Sequence, residues 1–256
     1  MNILDKICET KVEEIKKLKK EKSFDSSTKP IKSFFLEKLK KKKNSKFILI
    51  TEEKQKSPSK GLLRKNFDPV KISKIYQKAG ADCLSVLTDK IYFGGDINYI
   101  KMIKKEVDLP ILRKDFIIDE FQVYESHYYE ADCILLIFSI LTNAQILKFY
   151  HLAKSLGMDV ICEIHNETEL KRAIELDVEC IGINNRNLKT LEVNIENFTN
   201  MSKKIPEGIF KICESGITHN TQLFTLSKFG ADAFLIGENL IKSENIYKTT
   251  FEMIKK

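Results

Sequence analysis

Ionisable side chains follow several short apolar runs in this chain, at the point where each run ends. Glu52 and Lys54 follow FILI, Lys114 lies in PILRKDF, and Glu163 lies in DVICEIH. Carboxylates and ammonium groups that face one another persist as pairs and shift each other's pKa values towards those that proton transfer needs. The pattern indicates acid–base catalysis, although any single polar residue at a strand end is also explained by its exit from the core. Three further polar residues stand in equivalent places, namely Asn184, Arg186 and Glu214.

Strand periodicity selects among neighbouring candidates. Successive side chains of a strand point to opposite faces, so Glu52 and Lys54 share one face and Glu53 lies on the other. The same alternation predicts that Lys114 points inward and that both of its sequence neighbours point outward. If the strand were slipped by one residue, Glu53 would point into the site in place of Glu52. The two-residue spacing from Glu52 to Lys54 argues against that register.

Two glycines in the second half of the chain indicate a phosphate site. Ser215 and Gly216 follow one apolar run, and Gly237 ends the next run just before a helical stretch. Glycine lets the backbone approach an oxyanion closely, and a helix N-terminus adds N–H donors. A net charge of +7 also suits an anionic substrate.

The elements that must position these residues alternate along the chain. Eight apolar runs recur roughly every 20 to 35 residues, with amphipathic helical patterns between them. Strands that alternate with helices predict parallel pairing, and eight such units predict a (β/α)8 barrel, whose chemistry lies at the carboxyl ends of its strands. An open doubly wound sheet is the alternative, but it uses fewer strands and a GxGxxG motif that this sequence lacks. The predicted strands are Phe47–Ile50, Cys83–Leu87, Pro110–Phe116, Cys133–Phe138, Asp159–His165, Cys180–Asn185, Ile209–Gly216 and Ala233–Gly237.

The N-terminal segment has a different pattern. Apolar residues from Ile3 to Leu18, including Val12, recur at helical spacing, and a second helical stretch lies near Phe34–Leu39. We therefore expect residues 1–256 to form a single barrel domain in which residues 1–45 are a helical extension. These helices would cap the barrel or overhang its active face, in preference to forming a free arm.

Composition sets limits on location and partners. The N-terminus lacks the apolar core of a signal peptide, and no apolar run is long enough for a membrane span, so we expect a cytoplasmic protein. The six cysteines lack metal-like or disulfide-like spacing and are interpreted as structural thiols. The run Lys40–Lys43 is interpreted as a solvated helix end, because no aromatic residues interleave with it to bind nucleic acid. We expect neither a nucleic-acid nor a membrane partner. The sequence leaves the oligomeric state open, and a monomer is the working hypothesis.

Motifs along nearly the whole chain resemble those of indole-3-glycerol-phosphate synthases. The combination of SPSKG, LRKDF and INNRNL is specific to that family, whereas ESGI and the last glycine recur in other phosphate-binding barrels. Glu53 stands where the family usually has an apolar residue, and Asn239 where it often has Ser or Thr. The matching stretches, in family order, are Thr51–Gly61, Leu87–Gly95, Leu112–Phe116, Cys162–His165, Gly182–Leu188, Glu214–Ile217 and Phe234–Leu240.

The resemblance implies a reaction and a set of roles. The substrate would be 1-(o-carboxyphenylamino)-1-deoxyribulose 5-phosphate, which cyclises with loss of CO2 and water in tryptophan biosynthesis, and no metal or organic cofactor would be needed. Lys114 would be the general acid, Glu163 and Glu52 the proton-transfer carboxylates, and Lys54 would assist dehydration or hold the anthranilate carboxylate. Asn184 and Arg186 would orient the substrate, and Glu214 would bind a hydroxyl or tune a lysine. Phosphate binding would fall to Ser57, Ser215, Gly216, Gly237 and Glu238, and ring packing to Phe93, Phe116 and Leu135.

Two other functions remain open on the residues alone. The phosphate-site glycines would also fit another phosphate-binding barrel enzyme, such as a sugar-phosphate isomerase. A catalytically idle, basic binding protein is the third hypothesis, and the complete set of acids and bases argues against it.

Overall fold

Eight parallel strands form a closed barrel in the computed structural model, which describes residues 2–24, 29–31, 33, 35–42 and 47–255. Each strand pairs with its neighbour in sequence, and the last pairs with the first, with Thr51 opposite Ile236. The prediction of a (β/α)8 barrel is confirmed. The strands are β1 (Ile48–Glu53), β2 (Cys83–Leu87), β3 (Ile111–Lys114), β4 (Cys133–Ile137), β5 (Asp159–Ile164), β6 (Cys180–Asn184), β7 (Phe210–Glu214) and β8 (Ala233–Ile236).

Strand ends differ from the predicted ones for identifiable reasons. β1 runs three residues beyond the predicted end at Ile50, because Glu52 and Glu53 continue the ladder opposite Ser85 and Val86 of β2. β7 ends at Glu214, two residues early, because Ser215 and Gly216 have φ values of 66° and 85° and leave the extended region. Both differences affect the site, since Glu52 lies within a strand and Ser215 begins a loop.

Helices cover the outside of the barrel. Asp68 caps one of them, and the predicted capping boxes of Asp119 with Gln122 and Thr142 with Gln145 are present. A small hairpin, Lys56–Ser57 with Gly61–Leu62, follows β1. The helices are α1 (Ile3–Glu21), α2 (Phe35–Lys42), α3 (Pro69–Ala79), α4 (Lys90–Phe93), α5 (Asn98–Lys104), α6 (Glu120–Tyr128), α7 (Asn143–Ser155), α8 (Glu167–Glu175), α9 (Glu196–Ser202), α10 (Asn220–Lys228), α11 (Glu238–Ile241) and α12 (Ile246–Met253).

The two N-terminal helices lie at opposite ends of the barrel. α1 lies over the carboxyl ends of the strands, where Leu4 and Ile7 join the apolar cluster of the barrel interior. α2 closes the other end: the Leu36 backbone N–H donates to Asp159 at the start of β5, and Lys42 pairs with Asp82 before β2. The sequence prediction allowed either placement, and the chain uses both.

Some details of the N-terminal prediction differ. Val12 lies off the buried stripe of α1 and is 42% exposed, so its predicted apolar role is wrong. The lysine run does close α2, which ends at Lys42, whereas Phe34 and Lys43 lie outside the described residues. Within the part of the chain that the structure describes, no helix has the length and apolarity needed to cross a bilayer.

Candidate active site

A pocket of about 940 Å³ opens at the carboxyl ends of the strands, beneath α1. We call it the mouth pocket. Every site residue predicted from the sequence lines it, so the structure brings together groups separated by up to 186 positions, from Glu52 to Glu238. Their roles remain predictions, but their proximity is a property of the fold. The lining includes Glu52, Lys54, Ser57, Phe93, Lys114, Phe116, Leu135, Glu163, Asn184, Arg186, Glu214, Ser215, Gly216, Gly237 and Glu238.

Lys114 lies at the centre of a buried ionic cluster. Its Nζ donates to Oε2 of Glu163 at 2.5 Å and to Oε2 of Glu214 at 2.8 Å. Asn184 Nδ2 donates to the other oxygen of Glu163 at 3.2 Å. Burial alone would lower the pKa of Lys114, but the two carboxylates outweigh it and raise that pKa above its ordinary value, so the amine is protonated.

The two carboxylates bonded to Lys114 have opposite pKa shifts. Burial would raise the pKa of Glu163, but Lys114, together with His165, outweighs burial and lowers it, so Glu163 is ionised. Burial raises the pKa of Glu214, and the charge of Glu163 adds to that effect while Lys114 opposes it. Opposite shifts in neighbouring groups are the arrangement that separates acid from base roles in one site.

A second ion pair lies across the pocket. Lys54 Nζ contacts Oε1 of Glu52 at 2.5 Å, and both side chains are largely buried. Glu53 points to the opposite face of β1, where it accepts a hydrogen bond from Ser73 of α3. The predicted register is therefore confirmed, and the extra carboxylate does not crowd the Glu52–Lys54 pair.

The alternation predicted around Lys114 is also confirmed. Arg113 points outward and donates to Glu125 of α6 at 2.8 Å, and Asp115 accepts from Thr88. Lys114 is thus the inward residue of this trio, because its amine reaches Glu163 and Glu214. Asp115 also borders the pocket, but its carboxylate contacts Thr88 and Lys11.

The apolar part of the pocket is shared between the barrel and α1. The ring centroids of Phe93 and Phe116 lie 6.0 Å apart, and Leu135 lies in the same lining. Leu4 and Ile7 of α1 complete this surface. Sequence reasoning identified the apolar stripe of α1 but not its role in the pocket, because nothing in a helical period says what the stripe packs against.

The opposite part of the pocket is built from turns. Ser215 and Gly216 have left-handed φ values, and Gly237 immediately precedes α11. Asn239 donates to the Thr218 carbonyl at 2.8 Å and so ties the loop after β8 to the loop after β7. Arg186 donates to the Leu191 carbonyl, and its other terminal nitrogen lies 3.7 Å from Glu238.

Gly182 lies directly against a site residue, Glu214, a relation that sequence reasoning missed. A Cβ built on it would lie 2.1 Å from Oε1 of Glu214, so any larger residue would displace that carboxylate from its present position. Gly237 has the same relation to Glu52, at 2.6 Å. A signal for Gly182 existed, because a glycine inside a strand often marks a close approach, but its partner could not be read from the sequence.

Comparison with known proteins supplies the identity. The family profile described as "Indole-3-glycerol phosphate synthase" matches residues 4–253. The chain belongs to the indole-3-glycerol phosphate synthase family. It is therefore a carboxy-lyase of tryptophan biosynthesis that acts on a phosphorylated small molecule, which decides against both alternative functions.

Curated indole-3-glycerol phosphate synthases align along most of the chain. The protein of Thermoanaerobacter sp. (strain X514) is 44% identical over 241 residues, covering 94% of this chain and 92% of its own. That of Legionella pneumophila (strain Paris) is 41% identical over 251 residues, covering 96% of each. Among solved structures, 3-hexulose-6-phosphate synthase has a TM-score of 0.65 at 12% identity over 81% of this chain and 98% of its own. That likeness shows the barrel fold alone.

Proposed function

We propose that the mouth pocket closes the indole ring with two lysine acids and one carboxylate base. Lys114 donates a proton to the substrate ketone, Lys54 acts in the dehydration, and Glu163 takes the C–H proton. The observation that carries this proposal is the position of Lys114, bonded to Glu163 and Glu214 at the pocket base. A buried ammonium group beside the reacting carbonyl can meet the charge that develops on its oxygen.

The lining supports one orientation of the substrate. Phe93, Phe116 and Leu135 offer an apolar surface for the anthranilate ring. At the opposite side, the backbone turn at Ser215 and Gly216 and the start of α11 suit the phosphate, with Ser57, Gly237 and Glu238 nearby. Asn184 and Arg186 lie along the lining and would orient the chain that joins the two ends.

Ring closure and decarboxylation form the first half of the reaction. The ring carbon that bears the carboxylate attacks the ketone carbon, and the carbonyl electron pair moves to the oxygen, which takes the proton of Lys114. The carboxylate then leaves as CO2, and the electron pair of the broken C–C bond restores the aromatic ring. Lys114 is neutral at the end of this half.

Dehydration forms the second half. Lys54, held by Glu52, protonates the departing hydroxyl group, which leaves as water. Glu163 takes the C–H proton from the adjacent carbon, the double bond of the indole forms, and Glu163 returns that proton to Lys114. Lys54 is reprotonated from solvent, so one proton is consumed for each CO2 released, as the charge balance requires.

The two halves predict different defects in two lysine variants. Lys114→Met should slow CO2 release and indole formation together, by roughly 10²- to 10⁴-fold. Lys54→Met should still release CO2, and it should slow indole formation more than CO2 release, so that a hydroxylated intermediate accumulates. Both signals are measured in the same quenched time course, with Lys148→Met, at an exposed lysine of α7, as the matched control.

Either of two results would contradict this division of labour. A parallel loss of CO2 and indole in Lys54→Met, with a raised KM, would assign Lys54 to the substrate carboxylate. A near-normal rate of indole formation in Lys114→Met would show that Lys114 has no part in the first step.

We also propose that the protein works in the cytoplasm as a monomer, without nucleic-acid or membrane partners. The biosynthetic family to which the chain belongs supports the location, and the lack of aromatic residues in the lysine run argues against a nucleic-acid partner. A mass well above 29.6 kDa by light scattering would overturn the monomer.

A further inference from the structure

His165 lies directly behind Glu163 and has no part in the mechanism described so far. It follows β5, and its side chain is 10% exposed. It lines an adjacent polar groove rather than the mouth pocket, so it lies next to a catalytic group without facing the substrate.

Carboxylates flank His165 on both sides. Its Nε2 lies 3.2 Å from Oε1 of Glu163, within ion-pair distance although not aligned as a hydrogen bond. Its Nδ1 lies 3.2 Å from Oε2 of Glu169, on α8. Glu169 is held in turn by the backbone N–H of His165 at 2.8 Å and by Asn166 Nδ2 at 2.7 Å.

Glu163 is therefore held between two cations. Lys114 contacts Oε2 from β3, and His165 approaches Oε1 from the end of β5. Among the residues that the structure describes, the other groups that face Glu163 are Glu214 on β7 and the neutral amide of Asn184 on β6. His165 itself faces Glu163 and Glu169.

The charge of Lys114 is absent for part of the catalytic cycle. After it protonates the ketone, Lys114 is neutral, and Glu163 must stay ionised until it takes the C–H proton. A carboxylate that loses its only nearby cation in a buried site tends to bind a proton instead. His165 is the second cation that the arrangement supplies.

We propose that His165 is a positioning residue that keeps Glu163 ionised and oriented between ring closure and dehydration, and that Glu169 keeps His165 charged. The inference rests on the proposed role of Glu163. Burial would lower the pKa of His165, but Glu163 and Glu169 outweigh it and raise that pKa to about 9, in agreement with this role.

The first test is the pH dependence of kcat. In His165→Gln the acid limb of the profile should move to higher pH by about 1 unit or more, because Glu163 loses a nearby cation. At a pH below both midpoints turnover should then fall about tenfold, and it should recover towards the wild-type value at pH 9, with little change in KM. His165→Arg, which restores the charge, should move the limb back.

The second test does not depend on activity. The chain has four histidines, so the imidazole signals of ¹⁵N-labelled protein can be assigned with His165→Gln as the blank. His165 should be doubly protonated at pH 7 in the wild type, and Glu169→Gln should lower its titration midpoint. A neutral His165 at pH 7 would overturn the proposal.

The variants at His165 and Glu163 separate the two roles. A loss of turnover in His165→Gln that is equal at every pH, or an unshifted acid limb, refutes the positioning role while Glu163→Gln remains inactive. Normal turnover in Glu163→Gln refutes the proposed mechanism itself.

Discussion

Adjacent glutamates of β1 have opposite environments. Glu52 contacts Lys54 inside the barrel, whereas Glu53 lies between β1 and α3 and accepts a hydrogen bond from Ser73. Its other oxygen has no hydrogen-bond partner among the described residues. Burial raises the pKa of Glu53 well above its ordinary value, so the folded protein holds it protonated. A carboxyl group whose pKa is higher in the folded than in the unfolded protein contributes most to the free energy of unfolding below its unfolded pKa, which is about 4.5 for Glu53. This contribution is lost as the pH rises above that value.

Glu53→Gln should therefore stabilise the protein more at pH 8 than at pH 5, by at least about 1 kcal/mol in the free energy of unfolding. Urea unfolding at both pH values measures this difference, with Glu207→Gln, at an exposed position, as the control. An equal effect of Glu53→Gln at both pH values would show that Glu53 is ionised in the fold.

Single residues show where sequence reasoning succeeded and where it failed. The alternation of a strand was enough to place Glu52, Lys54 and Lys114 on one face, because that period is local. Gly182 and His165 were not recognised, because their importance lies in contacts with Glu214 and Glu169 that only the folded chain defines.

Buried ion pairs of Lys11 hold α1 over the mouth pocket. Lys11 Nζ lies 3.2 Å from Asp89, which caps α4, and 3.0 Å from Asp115, which follows Lys114. All three side chains are about 2% exposed. The helical period of α1 predicted the helix but not this attachment, because charged residues on a helix are usually solvated.

Lys11→Met should destabilise the protein by about 3–5 kcal/mol, because it leaves two buried carboxylates without this cation. It should also raise KM, since Leu4 and Ile7 of the same helix line the pocket. Thermal unfolding and initial rates measure the two effects. Lys16→Met, on the same helix but 64% exposed, is the control and should change stability by less than about 0.5 kcal/mol. A Lys11→Met variant as stable as this control would show that the ion cluster does not fasten α1.

The closed barrel brings the site residues together. The eight strands present their carboxyl ends to a single pocket, so residues distant in sequence meet without any local signal that they will. The alternation of strands and helices was sufficient to predict the barrel, and the barrel then predicted where the polar strand ends converge. That reasoning allowed a helix over the active face but did not predict that Leu4 and Ile7 of α1 line the pocket. We expect α1, α2 and the barrel to form a single domain, because Leu4, Ile7 and Phe35 share an apolar cluster with the barrel interior.

The most direct test of the account is turnover of 1-(o-carboxyphenylamino)-1-deoxyribulose 5-phosphate by the purified protein, in the presence of a metal chelator. Indole fluorescence and released CO2 are followed together, in the wild type and in Lys114→Ala. We expect one CO2 for each indole formed by the wild type, at a rate that the chelator leaves unchanged, and a rate lower by roughly 10²- to 10⁴-fold in the variant. Near-normal turnover in a folded Lys114→Ala protein would contradict the central role of Lys114, and binding of the substrate by the wild type without indole or CO2 would contradict the activity itself.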